Sequence, residues 1–258
     1  MHSTELLEVA ETAARKGAKC LQDWVNEFCV SEKGRADLVT DADFASQKAI
    51  VEHITTHYPD HKMLGEEGLT RHEGDSEYRW VIDPLDGTSN YVHGFPYYCV
   101  SIGLEYQGDL ILGVVYDPNR DELFSALQGH GAKLNGTPIS PSRIPSMDQA
   151  MLVASLPVGT NGRDVSIDRF LKVLPAAQTL QRTGSAALNL CYVSAGRIEG
   201  YWSSNLKPWD MAAGVLICRE AGGLVTSIED ASFTIENPSI LATNGTNIHA
   251  DLQSLLTT

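Results

Sequence analysis

Trp80-Val81-Ile82-Asp83-Pro84-Leu85-Asp86-Gly87-Thr88-Ser89-Asn90 runs from an apolar segment into a turn that carries two aspartates and a glycine. An apolar strand delivers Asp83 at its end. Pro84 fixes the turn that follows and removes a backbone donor. Asp86 arrives three residues after Asp83, and Gly87 lets the backbone approach a ligand closely. Thr88 adds a hydroxyl and an amide. A helix starting here would aim its free N–H groups at an anion such as phosphate.

Two further stretches carry carboxylates at comparable places. Upstream, Gly65-Glu66-Glu67-Gly68 follows the apolar pair Met63-Leu64, which suggests another strand end. Downstream, Lys207-Pro208-Trp209-Asp210-Met211-Ala212-Ala213-Gly214 places one aspartate at the start of a helix rich in small residues. Taken singly, each has an ordinary structural explanation. Asp-Gly pairs make turns, Glu66-Glu67 reads as a solvated loop, Asp210 as a helix N-cap, and Lys33 as a surface residue. Taken together, Glu66, Asp83, Asp86 and Asp210 each sit where a strand or loop ends or a helix begins, with no His or Cys beside them. An all-oxygen set selects hard cations, Mg²⁺ ahead of Ca²⁺ or zinc at a phosphate site. Crowded carboxylates repel one another unless cations lie between them. Two metals about 3.5–4 Å apart can activate water and stabilise the leaving oxygen of an in-line displacement.

Around these stretches the hydrophobic period sets the elements. Leu6, Ala10, Ala13, Ala14, Gly17, Leu21, Trp24 and Phe28 form a helical stripe over 5–28. A second helix is expected from an N-cap at Thr40, with Asp41 and Asp43 suiting its first turn and Pro59 beyond its end. Residues 79–82 read as a short strand, and 98–106, 110–116 and 122–126 as an antiparallel meander. Gly129 to Gly136 reads as a turn-rich connection. The polar, proline-bearing stretch 138–145 separates a half at 1–143, carrying most of the ligands, from one at 144–258, carrying Asp210 and the specificity loops. Helices are expected over 168–174, 185–195 and 210–221, with short strands at 151–156, 200–202, 224–226 and 240–243. Strand and helix order with hairpins predicts α+β layering rather than a purely parallel sheet.

The chain of 258 residues is 43% hydrophobic and 20% charged, enough for a sizeable core. Its net charge of −14 opposes binding to nucleic acid and to anionic membranes, and its carboxylates are dispersed as a soluble surface requires. The five cysteines are odd in number and show no C-x-x-C spacing, so reduced cysteines in a cytoplasmic protein are expected rather than a disulfide framework or a zinc site. The N-terminus lacks the regions of a signal peptide, and no apolar run is long enough to cross a bilayer.

The chain resembles the inositol monophosphatase family of metal-dependent, lithium-sensitive phosphatases. The resemblance rests on Asp37-Leu38-Val39-Thr40-Asp41-Ala42-Asp43, Gly65-Glu66-Glu67, Trp80 through Asn90 followed by Tyr91-Val92-His93-Gly94, Gly184-Ser185-Ala186-Ala187-Leu188-Asn189, and Trp209-Asp210-Met211-Ala212-Ala213-Gly214. It implies a layered αβαβα sandwich of the inositol monophosphatase and fructose-1,6-bisphosphatase type, assembled as a homodimer. It implies two or three Mg²⁺ ions. Glu66, Asp83, the Leu85 carbonyl and Thr88 would surround the first. Asp83, Asp86 and Asp210 would hold the second, and Glu66 would help place a weaker third through water. Asp43 and Thr88 match the pair that deprotonates the attacking water, Gly87 and Thr88 amides would hold phosphate oxygens, and Lys33 would lie near the metal–phosphate cluster.

The resemblance places substrate contacts at Gly184, Ser185, Ala186, Ser203 and Asp210, and leaves the ester open. Ser203 stands where animal-type relatives carry a glutamate that contacts the inositol ring. Inositol monophosphate leads. Histidinol phosphate, fructose 1,6-bisphosphate and 3′-phosphoadenosine 5′-phosphate are the alternatives, with the bisphosphates lower because Lys207 and Arg182 are the only basic residues nearby. The reading of another class is a regulatory protein that keeps the fold to contact a partner. No ligand position is lost in this sequence, which favours the enzyme.

Overall fold

The computed structural model describes residues 3–34, 37–71, 75–156, 164–230 and 232–257, with the side chains of residues 3, 32–34, 37 and 71 excepted. Its elements run α1 (Ser3–Trp24), β1 (Val30–Gly34), β2 (Asp37–Thr40), α2 (Asp41–His57), β3 (Lys62–Gly65), β4 (Thr70–Arg71), β5 (Tyr78–Asp86), α3 (Thr88–Val92), β6 (Cys99–Tyr106), β7 (Asp109–Asp117), β8 (Glu122–Leu127), β9 (Ala132–Leu134) and β10 (Thr137–Pro138). They continue through β11 (Met151–Ala154), α4 (Val165–Val173), β12 (Thr179–Gln181), α5 (Ala186–Ser194), β13 (Gly200–Ser203), α6 (Pro208–Ala221), β14 (Leu224–Thr226), β15 (Ile240–Thr243) and α7 (Ile248–Thr257).

The larger sheet has the order β10-β9-β8-β7-β6-β5-β3-β4, and the smaller β12-β11-β13-β15-β14. β6, β7 and β8 pair antiparallel in succession, while β3 and β5 run parallel. Helices α1 and α2 cover one face of the larger sheet. Helices α5 and α6 fill the space between the two sheets, and α4 and α7 pack together, with α7 against β15 of the smaller sheet. The layers are therefore α, β, α, β, α, the α+β sandwich expected.

Strand β5 shows why its sequence is apolar without alternation. Side chains alternate across a strand, so a strand with helices on both faces needs apolar residues at every position. Trp80 and Ile82 enter the core shared with α1 and α2, and Val81 enters the core shared with α6. The middle layer is pressed tightly onto the sheet. A Cβ added at Gly113 would lie 2.5 Å from the Ala213 carbonyl oxygen, and one at Gly103 would lie 2.8 Å from the Ala212 Cβ. One at Gly214 would lie 2.7 Å from Leu190 on α5. The small residues of α6 and the glycines of β6 and β7 thus set the depth at which α6 lies, and with it the height of Asp210 at its first turn.

The expected helices and core strands are present, with ends displaced by a few residues. The first helix stops at Trp24 rather than Phe28, and Val25 lies 40% exposed beyond it. The stretch 129–136 contains β9 as well as turns. The β1–β2 hairpin and α7 have no counterpart among the sequence expectations.

Candidate active site

Asp83 and Asp86 are three apart, a spacing that puts side chains on opposite faces of a regular strand. Here Asp83 pairs with Ser101 and Asp86 with Cys99, so three steps on β5 oppose two on β6. The extra residue of this irregularity returns both carboxylates to one side. Pro84, which cannot donate to a ladder, lies within the irregular stretch. The Leu85 N–H donates to Asp83 Oδ1 at 3.0 Å, closing the turn. Ser46 on α2 donates to the Pro84 carbonyl at 2.9 Å and ties the turn to the outer helix layer.

One helical turn before Ser46, Asp43 faces the same turn from α2. Its Oδ2 accepts from the Thr40 N–H at 2.8 Å and the Thr40 hydroxyl at 2.6 Å, which caps α2 as expected. Its Oδ1 accepts from the Thr88 hydroxyl at 3.4 Å, and Thr88 also lies 3.2 Å from the Leu85 carbonyl oxygen. Gly87, at φ 102°, makes the left-handed step from β5 into α3, with the Tyr97 carbonyl only 3.0 Å from where a Cβ would stand.

Asp86 is gripped by the first turn of α5. It accepts from the Ser185 hydroxyl and the Ala187 N–H at 2.7 Å each, and from the Ala186 N–H at 3.2 Å. Amides at a helix start favour a negative group there. Asp210 accepts from the Lys207 N–H at 2.7 Å, which fixes its rotamer at the start of α6. Glu66 follows β3, the strand parallel to β5. These elements come from three separate parts of the chain and meet at one place.

The electrostatics record that meeting. Burial pushes Asp83 well above the usual carboxylate range, and the charges of Glu66, Asp86 and Asp210 push it further. Asp210 is pushed up to about 8 by burial and by Asp86 and Glu66, against the Lys207 N–H bond that lowers it. Burial also raises Asp86, offset by Ser185 and the α5 amides. Cations among its members would favour the charged form of such a set. Among the described residues no three acidic, His or Cys side chains close into a finished cage. Asp86 and Asp210 share the wall of one cleft, and Glu66 and Asp83 lie within electrostatic reach of them. Their oxygen chemistry, with the Leu85 carbonyl and the Thr88 hydroxyl alongside, fits a hard divalent cation.

A cleft of about 340 Å³ opens beside them, with Asp86, Asp210, Ser89, Gly184 and Ala186 in its walls. Ser185 and Ser203 do not line it. Ser185 is fully buried, bonded to Asp86 and capping α5. Ser203 is 1% exposed at the end of β13, 3.4 Å from Asn205 Oδ1. Lys33 lies on β1, and its side chain is outside the described residues. The sequence reading overlooked Asn90, which donates to the Tyr97 and Thr183 carbonyls at 2.7 and 2.9 Å and so joins α3 to the opposite wall. Its place in the Asp83–Asn90 stretch was the available signal. Ser155 and Thr183, also in the walls, carried no such signal.

The chain matches the family model described as the inositol monophosphatase family over residues 2–257. It is 42% identical over 253 residues to an inositol-1-monophosphatase of Synechocystis, covering 97% of this chain and 88% of the relative. It is 40% identical over 258 residues to the Nus factor SuhB of Vibrio cholerae, covering 97% of this chain and 95% of that one. Among solved structures, the extragenic suppressor protein SuhB of Bartonella henselae superposes with a TM-score of 0.94 at 37% identity, covering 98% and 99% of the two chains.

Proposed function

Because the chain belongs to the inositol monophosphatase family and is a phosphomonoesterase, we propose that it hydrolyses a small phosphate monoester, inositol monophosphate first, with two or three Mg²⁺ ions. The observation that carries this reading is the raised Asp83, buried amid the charges of Glu66, Asp86 and Asp210. When bound, the cations supply neutralisation of phosphate charge and lower the pKa of a water.

The chain's own residues do the rest. Glu66, Asp83, the Leu85 carbonyl and Thr88 would hold one ion, Asp83, Asp86 and Asp210 a second, and Glu66 would help hold a weaker third. The Gly87 and Thr88 amides hold the phosphate oxygens in line for attack. The Thr88 hydroxyl takes the proton of the attacking water as its own passes to Asp43 Oδ1, 3.4 Å away. Lys33 adds positive charge beside the phosphate. Gly184, Ala186 and Asp210 contact the alcohol. Ser185 serves through Asp86, and Ser203 from beneath the wall. A cleft of about 340 Å³ suits a small ester.

The working protein is read as a cytoplasmic homodimer that lithium inhibits at a magnesium position. No helix among the described residues is long and apolar enough to cross a membrane. Phosphate release from p-nitrophenyl phosphate with and without Mg²⁺ tests the activity. A kcat/KM comparison of inositol monophosphate, histidinol phosphate, fructose 1,6-bisphosphate and 3′-phosphoadenosine 5′-phosphate tests the substrate. A second reading, a regulatory role through a protein partner, is favoured by relatives named Nus factor SuhB. Failure to turn over any of these esters, with tight partner binding, would establish it in place of the first.

A further inference from the structure

Strands β11, β12 and β13 run parallel, an arrangement whose carboxyl ends commonly carry a ligand site. Ser155, directly after β11, lies in the wall of the cleft, as does Thr183 beyond β12. The Ser155 N–H donates to the Trp202 carbonyl at 3.0 Å, which carries the pairing with β13 past the end of β11. Its hydroxyl lies 2.8 Å from the Tyr201 phenol oxygen. Ser155 is half-buried, whereas Tyr201 is fully buried.

Burial decides which of the two hydroxyls donates. A buried O–H without an acceptor is costly, whereas a hydroxyl open to a cleft can turn to solvent. Among the described residues the phenol has no hydrogen-bond partner but Ser155. Asn189 on α5 offers it no acceptor. Its Oδ1 already accepts from the Tyr97 phenol at 2.9 Å and the Thr183 hydroxyl at 2.7 Å, and its Nδ2, which completes no hydrogen bond, has only protons to give. Tyr201 therefore donates to Ser155 Oγ, and the Ser155 O–H is left to the cleft. The other wall hydroxyls are placed differently. Thr183 spends its proton on Asn189, and Ser89 lies exposed on α3 with no buried partner among the described residues. Burial raises the pKa of the Tyr201 phenol, its bond with Ser155 lowers it, and the charges of Asp86 and Asp210 raise it again. The Ser155–Tyr201 pair thus lies within the fields of both carboxylates in the cleft wall.

We propose that Ser155 is a specificity-determining residue whose hydroxyl donates a hydrogen bond to a hydroxyl of the alcohol, with Tyr201 as the positioning residue that aims it. The cleft thereby favours monophosphates of polyols over those of alcohols without further hydroxyls. A donor held from behind by a buried phenol loses little freedom when a ligand arrives. An analogue that lacks the matching hydroxyl leaves that donor unpaired, which is how such a site discriminates. The inference rests on the phosphatase reading above.

Two esters with the same ring separate it from that reading: myo-inositol 1-phosphate and cyclohexyl phosphate, which lacks the ring hydroxyls. With saturating Mg²⁺ the wild-type protein is expected to favour the inositol ester in kcat/KM. Ser155→Ala lowers that preference by about five- to tenfold, chiefly through KM, the scale of one hydrogen bond. Ser155→Thr, which keeps a hydroxyl, retains most of it. Tyr201→Phe frees the Ser155 hydroxyl to turn and lowers the preference by a smaller factor, about two- to threefold. A wild-type preference of one or below overturns the proposal, as does turnover of p-nitrophenyl phosphate alone. So does a preference left unchanged by Ser155→Ala, including an equal loss on both esters, which would mean that the serine only supports the end of β11. A Tyr201→Phe preference equal to that of the wild type overturns the positioning role of the phenol. Turnover of neither ester, nor of p-nitrophenyl phosphate, fails the phosphatase reading itself.

Discussion

Asp83 holds the account together at the scale of single residues. It is 1% exposed and lies within the fields of Glu66, Asp86 and Asp210. Asp83→Asn removes the charge proposed to bridge two ions and keeps the shape. Turnover is expected to fall by about 10³-fold or more, the scale of losing a group that acts as part of a unit, while circular dichroism stays native. Thr88→Ala breaks the proton path to Asp43 and should lower kcat by about 10²–10⁴-fold with KM little changed. Steady-state kinetics at saturating Mg²⁺ check both. Asp210, at about 8 in the metal-free protein, holds its proton below that pH. Metal must displace the proton, so Mg²⁺ binding should release protons and weaken as pH falls below about 8. Calorimetric titration in buffers of differing ionisation enthalpy measures that release.

At the scale of elements, the site's geometry depends on how closely α6 and α5 sit on their neighbours. Gly113→Ala would press a methyl to 2.5 Å from the Ala213 carbonyl oxygen. Backbone cannot yield there as a flexible side chain would, so a loss of about 1–3 kcal/mol is expected in denaturant unfolding. Ser185→Ala removes both the α5 cap and a short bond to the Asp86 carboxylate. Its expected cost of about 1–3 kcal/mol comes with weaker Mg²⁺ binding, because Asp86 then loses the partner that orients it. Melting and metal titration follow both variants: Gly113→Ala lifts α6 and with it Asp210, Ser185→Ala frees Asp86, and each is expected to lower stability and Mg²⁺ binding together.

Across the whole molecule, burying mutually repelling carboxylates costs stability at neutral pH, which the proposed metal ions would restore. Their folded-state pKa values are raised, so folding takes up protons and the stability they contribute is present at low pH. That stability is lost as pH rises from the unfolded carboxylate range through about 8. The metal-free protein should therefore melt at a lower temperature at pH 8 than at pH 6, and Mg²⁺ should reverse the order; scanning calorimetry with and without chelator tests this. Mg²⁺ at 100 times its Kd adds about 2.7 kcal/mol.

Much of this organisation was legible in the sequence. The unbroken apolar run of β5 announces a strand covered on both faces, and the small residues of α6 announce a helix pressed between layers. The carboxylates at element ends point to the ones that the fold brings into each other's fields. The β1–β2 hairpin was not legible, because residues 30–40 show no apolar alternation over the first strand and no Asn-Gly or Asp-Gly turn dipeptide. Nor was the true work of Ser185, because a hydroxyl that grips a carboxylate 99 residues away leaves no local pattern. Ser203 faced the same limit: its burial comes from pairing with β15.

Glu66, Asp83, Asp86 and Asp210 are proposed to gather divalent cations at one place. Counting bound Mn²⁺ by electron paramagnetic resonance at pH 8, in the wild-type protein and in Asp83→Asn, tests it most directly. Two or more ions per chain are expected in the wild type and none at the same concentration in the variant. Equal binding by the two proteins would contradict it.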